Sequence, residues 1–215
     1  MIQHPTRERI VATPMAALAG FVDAVAFLHL GGYFVSFMTG NTTRLGASIA
    51  EANARMWLPA LLIVLFVSGV VAGTLVRQAA VSRGQGWVMV LVTAMLALAG
   101  LASIAGFPWL AMGALAVAMG AENAVFERNG EVSIGVTYMT GTLVKMGQRI
   151  ASALRGGSRT AWAWYGLLWL GLALGAVMGA GAFLALGLGA IWIAVAVSVT
   201  ITVFFFRPDP ANETA

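Results

Sequence analysis

Six apolar stretches, each close to the length of a bilayer crossing, run through a chain of 215 residues. They lie at Val11–Leu30, Trp57–Val76, Trp87–Ala105, Phe107–Phe126, Ala161–Leu184 and Leu186–Phe206. A membrane-spanning helix needs roughly 20 apolar residues, so little chain remains for anything outside the bilayer. Charge agrees: only 9% of residues are Asp, Glu, Lys or Arg, against about 25% in a soluble domain. A globule so poor in charge has no wetted surface. A mean hydropathy of +0.89 points the same way. A soluble enzyme, a nucleic-acid reader and a disordered regulator are disfavoured at the outset.

The spacing therefore predicts an all-α polytopic membrane protein forming one membrane domain over 1–215. The net charge of +4 comes from 12 Lys and Arg against 8 Asp and Glu. In such a chain basic residues orient helices rather than bind nucleic acid. There are no cysteines and only two histidines, His4 and His29, so thiolate chemistry is excluded and a clustered-histidine metal site disfavoured. No cofactor is expected. Trp57, Trp87, Trp109 and Trp162 stand at the starts of spans, where interfacial anchors belong. Gly106-Phe107-Pro108 and Gly187 to Gly189 read as tight turns between spans.

The chain repeats itself. Ser36-Phe37-Met38-Thr39-Gly40-Asn41-Thr42-Thr43-Arg44-Leu45-Gly46 aligns with Thr137-Tyr138-Met139-Thr140-Gly141-Thr142-Leu143-Val144-Lys145-Met146-Gly147. Upstream, Gly20-Phe21-Val22-Asp23-Ala24-Val25 aligns with Gly120-Ala121-Glu122-Asn123-Ala124-Val125. Gly69 and Gly73 fall against Gly175 and Gly179. Two halves follow, 11–105 and 107–206, each reading span, Met-Thr-Gly segment, span, span. If the Met-Thr-Gly segments cross the bilayer, each half has four crossings and the copies are parallel. If they dip and return, each half has three and the copies are inverted. With six spans and the N-terminus inside, only Arg44 and Arg55 lie outside, so the positive-inside rule favours the inverted arrangement.

These blocks resemble a known family. Gly-Phe-Val-Asp-Ala-Val-Ala-Phe, Gly-Gly-Tyr-Phe-Val-Ser-Phe-Met-Thr-Gly-Asn-Thr and the later Tyr-Met-Thr-Gly-Thr are similar to the YoaK family of bacterial inner-membrane proteins, from about Thr13 to Phe206. The resemblance implies a small multi-span protein of the bacterial inner membrane. It implies no substrate, because that family is named as a domain of unknown function. Both termini are expected on the cytoplasmic side.

A charge inside a membrane helix is costly, roughly 2.5–3.5 kcal/mol on insertion scales, and marks a functional site by default. Asp23 is such a charge, and its repeat partner is the uncharged Asn123. The alternative is a fixed ion pair between Asp23 and Arg44. Gly31-Gly32 and Gly130 precede the Met-Thr-Gly segments, consistent with broken helices. Thr or Asn there can cap a helix start, whose partial positive charge favours anions and polar groups. The predicted substrate-binding set is Asp23, Thr39, Gly40, Asn41, Arg44, Asn123, Thr140, Gly141, Thr142 and Lys145. In it Asp23 is the protonatable group, and Arg44 and Lys145 balance solute charge.

The functional expectation is a transporter or channel for a small polar solute, an anion mildly preferred, with proton coupling through Asp23 as one variant, and not an enzyme. One alternative is a non-catalytic assembly or signalling partner with no central water-filled cavity. Another is an intramembrane lipid-acting enzyme using Asp23 with Glu122. Glu122, Glu127, Arg128 and Glu131 read as an interfacial charge cluster, and His29 as an interfacial residue. Lys145, Arg149, Arg155 and Arg159 set topology and meet lipid headgroups. Gly69, Gly73, Gly171, Gly175 and Gly179 have the spacing of close helix packing, with a homo-oligomer as one possible use.

Overall fold

A computed structural model describes residues 6–80, 82–128 and 131–207. His4, Gly130 and the polar C-terminal tail after Arg207 lie outside the described residues. The helices are α1 (Thr6–Leu30), α2 (Met38–Ala50), α3 (Trp57–Ala79), α4 (Gly84–Ile104), α5 (Pro108–Glu122), α6 (Met139–Leu154), α7 (Ala163–Leu186) and α8 (Ile191–Phe206). Five stretches are long and apolar enough to cross a membrane, the last being Ala163–Phe206. That stretch of 44 residues would measure about 66 Å as one helix, twice a bilayer core. It breaks instead at Gly187, whose φ of +57° suits a residue without Cβ. A 3₁₀ turn over Gly187–Ala190 then separates α7 from α8. Counting α7 and α8 separately, six apolar helices among the described residues occupy the positions the apolar stretches mark.

Glycine sets how the crossings pair. A Cβ at Gly171, Gly175 or Gly179 on α7 would fall on the backbone of Thr13, Ala17 or Phe21 on α1. The numbers rise together, so α1 and α7 run in the same direction. Gly69 and Gly73 on α3 meet Val117 and Ala121 on α5 likewise, so α3 and α5 are also parallel. Gly20 meets Leu172 and Gly120 meets Phe66 from the other side of the same crossings. All five glycines of the two rows are buried against the chain's own helices. A homo-oligomer would have to use another surface.

Helix α8 runs against α4, with Phe206 beside Gly86 and Trp192 beside Gly100. The hydroxyl of Thr93 bonds those of Ser198 and Thr202 at 2.7 and 3.0 Å between them. On the face where α1 begins, Gln85 donates to Glu8 at 3.3 Å and Arg83 to the Phe206 carbonyl at 2.7 Å. On the opposite, distal face the Trp57 and Trp109 rings sit 5.6 Å apart. Helices α1, α4 and α7 thus leave the N-terminal face, and α3, α5 and α8 return to it. The core lies along α1 and α5, the spans richest in fully buried residues.

Between Phe126 and Ser133 the chain makes a turn that the helical reading did not anticipate. Two short antiparallel strands, β1 (Glu127–Arg128) and β2 (Glu131–Val132), pair there. Arg77 at the end of α3 holds this turn, donating to the carbonyls of Val125 and Glu127 at 2.8 and 2.9 Å.

Candidate functional site

The two Met-Thr-Gly segments begin helices α2 and α6, and neither is among the stretches long and apolar enough to cross a membrane. After α1 the chain reverses at Gly31 and Gly32, with φ of +69° and +108°. Such values favour glycine. The following loop turns back into the fold. The amides of Val35 and Ser36 donate to Oδ1 of Asp23 at 2.8 and 2.9 Å. Asp23 stands seven residues before the end of α1, so the loop descends about 10 Å. Helix α2 then leads back to the distal face.

A similar bond holds the loop before α6. The hydroxyl of Thr137 donates to Oδ1 of Asn123 at 2.9 Å, tying that loop to the end of the α5 span. Nδ2 of Asn123 is spent on the Met119 carbonyl at 2.9 Å. Asp23 and Asn123 therefore do the same structural work, each tying down the loop that precedes a half-helix. They differ in charge, and Asp23 alone of the two lines the central cavity.

That cavity has a volume of about 660 Å³, within the 300–1,000 Å³ of ordinary small-molecule sites. Both half-helices reach it with their first residues, Met38 and Thr39 on one side and Met139, Thr140 and Gly141 on the other. Asp23, Ser36 and Thr137 add polar groups. The rest of the wall is apolar, chiefly the rings of Phe27, Phe34, Phe37, Phe66 and Tyr138. Phe34 packs on Phe27 and Phe37 with centroids 4.9 and 5.2 Å apart.

Of the ten residues singled out from the sequence, Asp23, Thr39, Thr140 and Gly141 line this space and six do not. Asn41 is fully buried and clamps the loop instead, accepting from the Phe34 amide at 3.0 Å and donating to its carbonyl at 2.7 Å. Gly40 packs beneath the Phe34 and Phe37 rings. Thr142 bonds back to the Tyr138 carbonyl at 3.2 Å. Asn123 lies behind Thr137. Arg44 lies over the Tyr33 ring, 5.2 Å from its centroid, with its guanidinium against Gly32. Lys145 is exposed on α6, off the cavity wall.

Three expectations change accordingly. Arg44 and Lys145 are not at the cavity, because a turn of helix after the half-helix start carries each away from it. Arg44 does not ion-pair with Asp23, whose Oδ1 takes the two loop amides. The segments' Thr and Asn side chains do not cap the half-helices: Phe37 and Tyr138 occupy the cap positions with no side-chain cap bond. Glu122 differs too. It is fully buried with both carboxylate oxygens unpartnered, not interfacial, and it is off the cavity wall. The aromatic wall was missed, although the repeat held a signal for part of it. Phe37 aligns with Tyr138, and Phe66 and Leu172 both stand three residues before the aligned Gly69 and Gly175.

The fold and cavity define a multi-pass helical membrane protein with a central chamber between two half-helices. Its sequence places it in a family: residues 11–204 match the model described as protein of unknown function (DUF1275), and the chain belongs to that family. It is similar to the UPF0700 transmembrane protein RA0705 of Rhizobium meliloti (strain 1021), at 36% identity over 168 residues, 76% of this chain and 70% of that protein. This accords with the resemblance to the YoaK family. No solved structure matches the chain.

Proposed function

We propose that the chain is a carrier or channel for a small polar solute, built as an inverted repeat around the central cavity. The observation that carries this reading is the meeting of both half-helix starts at one chamber of about 660 Å³. Broken helices that meet at such a chamber are the general plan of inverted-repeat transporters. The parallel pairing of α1 with α7 and of α3 with α5 supports the inversion, because each pair joins a first span of one half to the next full span of the other. Asp23 is the protonatable group on the cavity wall. An anion preference loses the support of Arg44 and Lys145, which stand off that wall, and keeps only the partial charge of the half-helix starts. The cations of the N-terminal face, among them Arg77, Arg83, Arg149, Arg155 and Arg159, support a cytoplasmic N-terminus in a bacterial inner membrane.

An assembly partner without a central cavity is disfavoured by the chamber itself. A lipid-acting enzyme built on Asp23 and Glu122 is disfavoured by the burial of Glu122 away from it. Proteoliposomes loaded with a defined mixture of small polar solutes test the transport reading by mass spectrometry of what they retain. Protein-dependent loss of a solute, abolished by Thr140→Trp, which fills the chamber, is expected. Retention identical to protein-free liposomes for every solute overturns it.

A further inference from the structure

We infer that the chamber selects a monovalent organic ammonium with apolar substituents, which it holds between the Asp23 carboxylate and the aromatic wall. The inference rests on the chamber being the solute site. Among the described residues Asp23 is the one charged side chain lining the chamber, and no Lys, Arg or His joins it. Its Oδ1 accepts from the two loop amides, and the residue as a whole is partly exposed at the chamber wall.

Around it stand five aromatic side chains, those of Phe27, Phe34, Phe37, Phe66 and Tyr138. Ring faces carry negative π density and attract cations, most strongly where water is excluded. The starts of α2 and α6 each bring about half a positive charge and oppose this preference. They offer no cationic side chain, however, and the loop amides before α2 are already engaged by Asp23. A small metal ion would need a shell of oxygen ligands, whereas this wall is largely hydrocarbon. A weakly hydrated ammonium bearing alkyl or aryl groups meets both the charge and the rings, and a volume of about 660 Å³ accommodates one.

The test uses the full chain in lipid nanodiscs, with protein-free nanodiscs as background. The probes are benzyltrimethylammonium and benzenesulfonate, each one ring with one charge of opposite sign. Saturable binding of the cation alone is expected. Asp23→Asn, which keeps an acceptor for the loop amides, should weaken it at least tenfold. Phe66→Leu, which leaves the bonds between Asp23 and the loop amides in place, should weaken it severalfold with Asp23 intact, and it serves alone if Asp23→Asn does not fold. Equal binding of both probes, stronger binding of the sulfonate, or cation affinity unchanged in both variants overturns the inference. Asp23-dependent binding without transport into proteoliposomes would uphold it while removing the transport reading. Transport of another solute with no cation binding would do the reverse.

Discussion

Asn41 shows how a residue that looks like a ligand can be spent on architecture. Its amide closes a two-bond clamp on the Phe34 backbone while fully buried. Leaving buried backbone groups unpaired costs about 1–3 kcal/mol. Asn41→Ala should therefore lower unfolding stability in detergent by about that much, and a change within measurement error would remove the clamp from the picture. Thr42 and Thr43 are spent similarly, their hydroxyls bonding back to the carbonyls of Met38 and Thr39. From the sequence alone, Asp23 was recognisable as the unusual charge, because cost in a membrane singles it out. The direction in which Arg44 and Lys145 point was not recognisable. It depends on how far each half-helix rotates after its first turn, which spacing does not encode.

At the scale of helices, the spans were readable to within a few residues because apolar length is set by the bilayer. The glycine rows were readable as packing surfaces, but not their partners. That α7 packs on α1, and α3 on α5, follows from the chain crossing between halves, which only the fold reveals. The crossings make a sharp prediction. A Cβ at Gly175 would strike the Ala17 carbonyl, whereas Gly181, on the same helix, has open space beside it. Gly175→Ala should destabilise by about 1–3 kcal/mol, while Gly181→Ala should be neutral or stabilise by up to about 1 kcal/mol. Thermal unfolding of both variants in one detergent decides it, and equal melting points would contradict the crossing. Gly69→Ala should behave like Gly175→Ala, since it meets the Val117 carbonyl in the same way. The short strands around Glu127–Val132 were not foreseen, because two-residue pairings have no periodicity to detect.

For the whole molecule, topology is the property on which the rest depends. The chain has no native cysteine, so single replacements at the exposed positions Glu51, Ser82, Ala105 and Ser158 report sidedness cleanly. The fold places Glu51 and Ala105 on the distal face and Ser82 and Ser158 on the N-terminal face. Impermeant thiol labelling of intact cells should split them in those pairs. Labelling of Ser82 alone, with Ser158 protected alongside Glu51 and Ala105, would instead signal eight crossings and parallel halves. The more direct measurement concerns the chamber itself. Thr140→Cys lies on its wall, whereas Leu174→Cys lies on the lipid-facing side of α7, 61% exposed. With a small impermeant cationic methanethiosulfonate, Thr140→Cys should react far faster than Leu174→Cys, as a solute-accessible site between the half-helices requires. Equal inertness of the two would contradict a central chamber open to solute.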